Sequence, residues 1–252
     1  MKLDVAFLPR LLSDPEASVC VMIDVLRAST SIVTLSAGGA QEIAVAESPS
    51  AARRIARREP GRYVLAGEEN GLALRGFDYG NSPSEFAALD VTGQHFILST
   101  TNGTRALQRL AASPLVLVGA LVNAAAVTRT LLAEAGARRL NAALVCAGLS
   151  QGRRLSLEDV VAAGALVDTA LKAARSMASL ELTDGALIAH RLYRAYRGDA
   201  LAAFRRSEHG RALIALGFAH DLDFCAQADR FDAVPRLRRE PSGRLTLFVE
   251  KM

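Results

Sequence analysis

Tryptophan is absent from this chain of 252 residues, and aromatic residues make up only 5% of it. This scarcity argues against modules that stack aromatic rings on nucleic-acid bases. The three cysteines, Cys20, Cys146 and Cys225, are widely spaced and form no Cys-x-x-Cys pair. The spacing therefore indicates neither a disulfide framework nor a zinc knuckle. The core must rest on Val, Leu, Ile and Ala, a composition that favours layers of strands and helices.

Lysine is nearly missing as well. Only Lys2, Lys172 and Lys251 stand among the 30 basic residues, so arginine supplies 27, and the net charge is +4. This balance is mildly basic, and the densest arginine runs, at residues 53–58 and 236–239, contain no aromatic residue. We therefore expect no nucleic-acid partner. The planar guanidinium group suits phosphate and carboxylate, although an Arg-rich and Ala-rich composition is also typical of a GC-rich genome.

No hydrophobic run has the character of a membrane span or a secretion signal. The uncharged stretch Leu110–Thr128 contains Pro114, Gly119 and Asn123, which favour a strand, a turn and a helix start over a span. Asp4 stands where the apolar part of a signal peptide should begin. We expect no membrane association and a reducing, cytoplasmic location.

Short apolar runs alternate with Ala-rich stretches over the first 174 residues. The predicted strands are Leu3–Leu8, Ser18–Ile23, Glu42–Ala46, Tyr63–Ala66, His95–Ser99, Leu115–Val118 and Arg139–Cys146. The predicted helices are Ser29–Ala37, Ser50–Arg58, Thr104–Ala112, Ala124–Ala135 and Leu157–Ala174. Strands that are apolar on both faces and are followed by helices indicate an α/β fold with largely parallel or mixed sheets.

We predict two α/β lobes, residues 1–120 and 121–252, with the site between them. One continuous sheet is the alternative. The second lobe contains a helical segment near residues 184–228. It ends on a hairpin from Pro235–Arg239 to a closing edge strand near residues 244–249.

Polar residues that directly follow strands are the candidates for chemistry, because ligands of open α/β sheets bind at the carboxyl ends of strands. Asp24 follows a buried strand, and Arg27 and three hydroxyl residues come next. An acid in this place suits a Mg²⁺ ligand or a nucleophile, and Arg27 suits a phosphate. The structural alternative is an Asp24–Arg27 ion pair with Ser29 as the helix N-cap.

Two further loops carry acids, amides and hydroxyl groups. Glu68, Asp78 and Asn81 lie in a glycine-rich loop after a strand, where Ser82, Pro83 and Glu85 form a helix-capping pattern. The turn Ser99–Arg105 joins a strand to a helix and predicts an anion site at the helix start. Helix capping by Thr101 or Asn102 is its structural alternative.

The last candidates are more readily explained by structure. Asn123 caps the next helix in the simplest interpretation. Glu158 and Asp159 open a helix, where the helix dipole favours acids, and Ser156 with Asp159 resembles a capping box. Cys146 in an apolar strand is typical of a small buried side chain. Together the candidates indicate a metal-assisted phosphoryl or acid-ligand site.

In this order, the segments resemble those of the 2-phosphosulfolactate phosphatase family. The resemblance is carried by Asp24–Thr30, Gly67–Gly71, Gly76–Pro83, Ser99–Thr104, Asn123-Ala124, Cys146–Gly148 and Ser156–Asp159. It implies an α/β fold with the site between two lobes. It also implies Mg²⁺-dependent hydrolysis of 2-phospho-3-sulfolactate to 3-sulfolactate and phosphate, a step of coenzyme M biosynthesis in methanogens.

From this resemblance we assign expected roles. The expected Mg²⁺ ligands are Asp24, Glu68 and Asp78. The expected substrate-binding residues are Arg27, Asn81, Asn123, Thr100, Thr101, Asn102, Gly103 and Thr104. Glu158 or Asp159 would orient water or act as general acid, and Asp24 is the third catalytic candidate. Alternatives are another phosphorylated 2-hydroxy acid as substrate, or a non-catalytic binder of such an acid. The Ala-rich helices are compatible with a homodimer.

Overall fold

Strands and helices alternate through most of the computed structural model, which describes residues 1–173, 180–196 and 198–249. The strands are β1 (Lys2–Ala6), β2 (Ser18–Ile23), β3 (Glu42–Val45), β4 (Tyr63–Glu69), β5 (Leu72–Ala73), β6 (His95–Ser99), β7 (Leu115–Val118), β8 (Asn141–Cys146), β9 (Glu181–Leu182), β10 (Arg236–Arg239) and β11 (Leu245–Phe248). The helices are α1 (Ala28–Ala37), α2 (Pro49–Arg58), α3 (Pro83–Phe86), α4 (Gly103–Leu110), α5 (Ala124–Arg138), α6 (Leu157–Ala173), α7 (Asp184–Ala195), α8 (Ala200–Arg206), α9 (Glu208–Ala215) and α10 (Ala219–Cys225).

The α/β class is confirmed, and the predicted elements agree with the observed ones to within a few residues. β2 is buried at all of its positions, as expected of a central strand covered by helices on both faces. The short strands β5 and β9 were not predicted. The helix predicted to end at Ala174 runs through Ala173, and Ala174 itself lies outside the described residues.

One mixed sheet holds the described strands, in the order β5-β4-β6-β3-β11-β10-β7-β2-β8-β1-β9. It contains two parallel blocks, one of β4, β6 and β3 and one of β7, β2, β8, β1 and β9. The β10–β11 hairpin joins them through antiparallel pairs with β7 and β3.

The hairpin from Pro235 onward was predicted, but its position was not. The second strand, expected at the edge of the sheet, lies inside it between β10 and β3. Leu245, Thr246 and Leu247 are all buried, so both faces of this strand are covered although its sequence alternates as an edge strand would. β8, which follows residue 120, pairs with β1 and β2, which precede it. The sheet is therefore continuous, and the division into two lobes at residue 120 stays a prediction.

The two blocks run in opposite directions, yet the loops after their strands come together. Adjacent strands rotate by about 20–25° at each step, or roughly 100–125° over the five steps from β6 to β2. This twist turns the carboxyl end of one block towards that of the other. The contact is visible at Gly103, after β6, where an added methyl group would lie 2.6 Å from Ala28 Cβ, after β2.

Helices α6 and α7 pack closely against each other. A methyl group at Gly164 would lie 2.1 Å from the Ala189 carbonyl oxygen, so glycine lets the helices approach. Asp168 Oδ1 contacts His190 Nε2 at 3.0 Å, and Asp168 Oδ2 contacts Lys172 Nζ at 2.7 Å. Burial by itself would raise the pKa of Asp168. The hydrogen bonds from Lys172 and His190 outweigh burial, so this pKa lies below its usual value.

The uncharged stretch Leu110–Thr128 folds as the sequence indicated. It contains the end of α4, strand β7, a 3₁₀ turn at Leu121–Asn123 and the start of α5. Among the residues described, no helix has both the length and the apolar character needed to cross a membrane.

Candidate active site

A pocket of about 280 Å³ opens where the loops after β2, β4, β6 and β8 meet helix α9. Several of the predicted site residues line it, namely Asp24, Arg27, Glu68, Asn81, Thr100, Thr101 and Asn102. Its volume suits a small ligand, since binding pockets start at about 300 Å³. The β2 loop supplies a carboxylate, the β6 loop supplies a helix start, and α9 supplies an apolar wall.

Asp24 places a buried carboxyl group on this pocket. Burial raises the pKa of Asp24 well above its usual value, and the charges of Asp159, Glu68 and Glu158 raise it further. The backbone N–H of Ala28 opposes the shift only in part. A methyl group at Gly103 would lie 2.9 Å from Asp24 Oδ2, so the start of α4 directly faces this carboxyl group.

The start of α4 provides backbone donors. Thr104 N–H donates to Thr100 Oγ1 at 3.2 Å, and the Thr104 hydroxyl donates to the Thr100 carbonyl at 2.8 Å, which fixes the turn. Within the described residues, the N–H groups of Asn102 and Gly103 have no hydrogen-bond partner. Unpaired N–H groups at a helix start attract an anion, so this turn can bind one beside Asp24.

Glu68 ties two loops together at the pocket wall. Its Oε1 accepts the Thr101 N–H and its Oε2 accepts the Gly71 N–H, both at 2.8 Å. These bonds hold the β4 loop against the β6 turn. Each carboxylate oxygen keeps a further lone pair for a ligand.

Glu158 and Asp159 stand behind the pocket at the start of α6. Asp159 Oδ1 accepts the Val25 N–H at 2.9 Å and Oδ2 accepts the Gly148 N–H at 3.1 Å, joining the β2 and β8 loops. Burial and the Glu158 charge raise the pKa of Asp159 to about 8. Ser156 Oγ accepts the Asp159 N–H, as the capping pattern predicted. Glu158 is buried, and its Oε2 has no hydrogen-bond partner in the described residues.

Arg27 pairs with a carboxylate that sequence reasoning missed. Its Nη1 donates to Asp221 Oδ2 at 2.9 Å and its Nη2 to the Gly71 carbonyl at 2.6 Å. Its guanidinium lies 4.5 Å from the centre of the Phe218 ring. Asp221 Oδ1 also accepts the hydroxyl groups of Ser82 at 2.7 Å and of Ser84 at 2.6 Å. The alternative of an Asp24–Arg27 pair is therefore wrong, and no pattern around Asp221 in α10 distinguished it from an ordinary helical acid.

Six predicted site residues do not line this pocket, namely Gly103, Thr104, Glu158, Asp159, Asp78 and Asn123, and the last two point elsewhere. Asp78 lines a neighbouring pocket of about 200 Å³, and its Oδ2 accepts the Leu65 N–H at 2.8 Å. The Asn123 side chain accepts the Ala120 N–H and donates to the Ala233 carbonyl, both at 2.9 Å, so it ties the loop after β7 to the segment before β10. Asn81 lines both pockets, and its buried Oδ1 has no partner in the described residues.

The cysteines have no features of nucleophiles. All three are buried. Burial, and then the charges of Asp159 and Glu158, raise the pKa of Cys146 well above its usual value. Burial raises the pKa of Cys20 to about 11. These thiols remain protonated at neutral pH, which fits packing and not catalysis.

The fit of Mg²⁺ depends on the substrate. Within the described residues, no three His, Cys, Asp or Glu side chains are grouped so that they could hold a metal ion. Mg²⁺ is commonly bound by one or two carboxylates together with water and substrate phosphate. Asp24 lines the pocket, the charge of the buried Glu158 acts on it, and Glu158 Oε2 has no partner within the described residues, so these two carboxylates fit that second arrangement. The residues present therefore suit an ion that binds with a phosphate ester.

The C-terminal helices complete the pocket with residues that sequence reasoning did not place there. Glu208 and His209 open α9, and Leu213 and Leu216 add an apolar wall. Arg154, from the loop after β8, forms an ion pair with Glu208 at the pocket wall. The sequence predicted α9 only as one of several short helices, without a signal for a site.

Comparison with known proteins yields one consistent result. The family model described as 2-phosphosulpholactate phosphatase matches residues 7–240. A protein of Carboxydothermus hydrogenoformans is 36% identical over 98% of this chain and 97% of its own length. One of Thermosynechococcus vestitus is 38% identical, with 90% and 91% covered, and one of Deinococcus radiodurans is 40% identical, with 87% of each chain covered. Each is named probable 2-phosphosulfolactate phosphatase.

Proposed function

This chain belongs to the 2-phosphosulfolactate phosphatase family, and on that premise we propose that it hydrolyses 2-phospho-3-sulfolactate to 3-sulfolactate and phosphate with Mg²⁺ as cofactor. The family is one of phosphoric monoester hydrolases. The observation that carries the proposal is the buried Asp24 carboxyl group beside Gly103 at the start of α4, where the N–H groups of Asn102 and Gly103 have no partner in the described part of the chain. A metal-binding acid and an anion-binding turn are thus adjacent.

The turn at the start of α4 and Arg27 bind the phosphate. The N–H groups of Asn102 and Gly103 donate to two phosphate oxygens. Arg27 has five N–H donors, of which Asp221 and Gly71 use two. The remaining donors are held at the pocket wall by a buried partner, so the guanidinium is positioned before the substrate arrives.

The acids need a counter-charge to admit such an anionic substrate. We assign Asp24 and Glu158 to hold Mg²⁺, and Glu68 to fix the loops between which it binds. When bound, Mg²⁺ would neutralise charge on the phosphate and polarise its oxygens. Asp159 positions the β2 and β8 loops through its two N–H hydrogen bonds, while Glu158 also orients the attacking water.

The direct test is phosphate release by the purified protein, with Mg²⁺ and with a chelator. The substrates are 2-phosphosulfolactate, 2-phospholactate, phosphoglycolate and 3-phosphoglycerate. We expect metal-dependent release with a clear preference for the sulfonate. Preference for another phosphorylated 2-hydroxy acid would replace the substrate, and binding without release from any ester would indicate a binding protein.

Asp24→Asn tests the assignment of the metal-binding acid. We expect turnover to fall about 10²-fold or more with the fold unchanged by circular dichroism, as for loss of a metal or charge contact. Asp78→Asn is the matched control, because Asp78 lies in the neighbouring pocket, and its turnover should stay near that of the wild type. Equal losses in both variants would contradict the assignment.

A further inference from the structure

Arg154 and Glu208 form a paired contact at the mouth of the proposed catalytic pocket. Arg154 Nη1 lies 3.0 Å from Glu208 Oε1, and Nη2 lies 2.5 Å from Oε2. The two side chains come from separate elements, the loop after β8 and the first residue of α9, and both line the pocket. The guanidinium thus presents its flat edge to a carboxylate, the geometry by which arginine recognises planar acids.

This ion pair differs from that of Arg27 in its exposure. The side chains of Arg154 and Glu208 are 58% and 56% exposed, whereas those of Arg27 and Asp221 are 2% and 0% exposed. An exposed ion pair contributes little net stability, because water already solvates both charges. A competing acid can therefore replace Glu208 on Arg154 at little cost, while Asp221 cannot be exchanged.

The loop that carries Arg154 is fixed to the phosphate-binding turn. The Gln151 N–H donates to Asn102 Oδ1 at 2.9 Å, which ties the loop to the residue at the start of α4. Asn102 and Arg154 line the same pocket of about 280 Å³, so an anion bound at the turn shares this pocket with Arg154. A substrate that carries a second acidic group would bring it within this small volume.

We propose that Arg154 is a specificity-determining residue that binds the acidic group which the substrate carries besides its phosphate. Glu208 occupies this place until the substrate arrives. This inference rests on the proposed function, since it assumes that the phosphate of an ester binds beside Asp24. The other role for the contact is a clasp that only holds α9 over the pocket.

Opposite charge changes separate the two roles. In Arg154→Met the second acid loses its partner, so KM for 2-phosphosulfolactate should rise about 10–100-fold, the range for a hydrogen bond to a charged group. KM for isopropyl phosphate, which has no second acid, should change little. In Glu208→Gln the competing charge is gone, so KM for 2-phosphosulfolactate should fall. A clasp would instead make both variants worse, and for both esters.

A matched control is the exposed ion pair of Arg205 and Asp223, which joins α8 to α10 outside the pocket. Arg205→Met should leave both KM values unchanged. Parallel losses in Arg154→Met and Glu208→Gln, or an equal loss for both esters, would overturn the specificity role.

A binding measurement separates this inference from the proposed function. Calorimetry with 3-sulfolactate and with inorganic phosphate should show 3-sulfolactate weakened about tenfold or more in Arg154→Met, and phosphate unchanged. If the wild type releases phosphate from no ester, the proposed function fails, and this binding result still decides the role of Arg154. Unchanged 3-sulfolactate affinity would overturn it.

Discussion

Asp221→Asn should destabilise the protein far more than its single lost charge suggests. The substitution keeps the shape of the side chain and an oxygen for the hydroxyl groups of Ser82 and Ser84. It leaves the Arg27 guanidinium, 2% exposed, without a counter-ion. Removal of one partner of a buried ion pair costs about 3–5 kcal/mol, because the other charge stays desolvated. The retained hydrogen bonds place our expectation at the lower end, about 3 kcal/mol.

Urea unfolding followed by circular dichroism measures this loss directly. A loss of about 3 kcal/mol also corresponds to a fall in Tm of roughly 6–12 °C for a chain of this size. The matched control is Asp223→Asn, two positions away on α10, whose ion pair with Arg205 is 58% and 52% exposed. That exposed pair should contribute only about 0–1 kcal/mol.

A double substitution separates stability from activity. Arg27→Met with Asp221→Leu removes both charges, and such replacements are often neutral or stabilising. We expect part of the loss in Asp221→Asn to be recovered, because no buried charge is left unpaired, although the Ser82 and Ser84 hydroxyl groups lose their acceptor. Phosphate release should stay low, because the phosphate-binding guanidinium is gone. If Asp221→Asn and Asp223→Asn unfold at the same urea concentration, the reasoning about burial is refuted.

Three further predictions follow from local contacts. A thiol reagent should label none of the three cysteines in the folded protein and all of them in urea, because burial keeps the thiols protonated, and rapid labelling of Cys146 would contradict its packing role. Asp168→Asn should lower the free energy of unfolding by about 1–3 kcal/mol at pH 7. The folded pKa of Asp168 lies below the unfolded value of about 3.9. The difference in unfolding free energy between the wild type and Asp168→Asn should therefore persist above pH 4 and vanish as pH falls through the folded pKa. Urea unfolding at several pH values measures it, and a difference that stays constant down to low pH would contradict this. Gly103→Ala should cost about 1–3 kcal/mol through overpacking against Ala28 and Asp24, and a stability equal to that of the wild type in the same assay would disprove the close contact.

The local elements of this fold were predictable because each is encoded by its own residues. β2 and β6 follow from short apolar runs, and their bounds agree with the prediction at both ends. The place of β11 in the sheet was not predictable in this way. It depends on pairing with β3, which is distant in sequence, and an alternating pattern does not distinguish an edge strand from one placed between two others.

The site residues, too, divide into those that local sequence reveals and those that depend on tertiary packing. Asp24 and the turn after β6 were found because polar groups at the ends of buried strands have few structural uses. Asp78 and Asn123 have the same sequence context, but their side chains turn to backbone groups. Asp221 was missed because it reaches the site only through the packing of α10. Sequence spacing gives the position of a residue along the chain and not the direction of its side chain.

The position of β11 inside the sheet has a consequence for folding during synthesis. Residues 43–45 of β3 obtain their partners, residues 245–247, about 200 residues later in synthesis. At ribosomal rates of about 5–20 residues per second, β3 waits roughly 10–40 s with one edge unpaired. An unpaired edge is a template for aggregation. The unpaired edge of β3 is therefore exposed for most of the synthesis of the chain. A chaperone that shields this edge should raise the yield of folded protein.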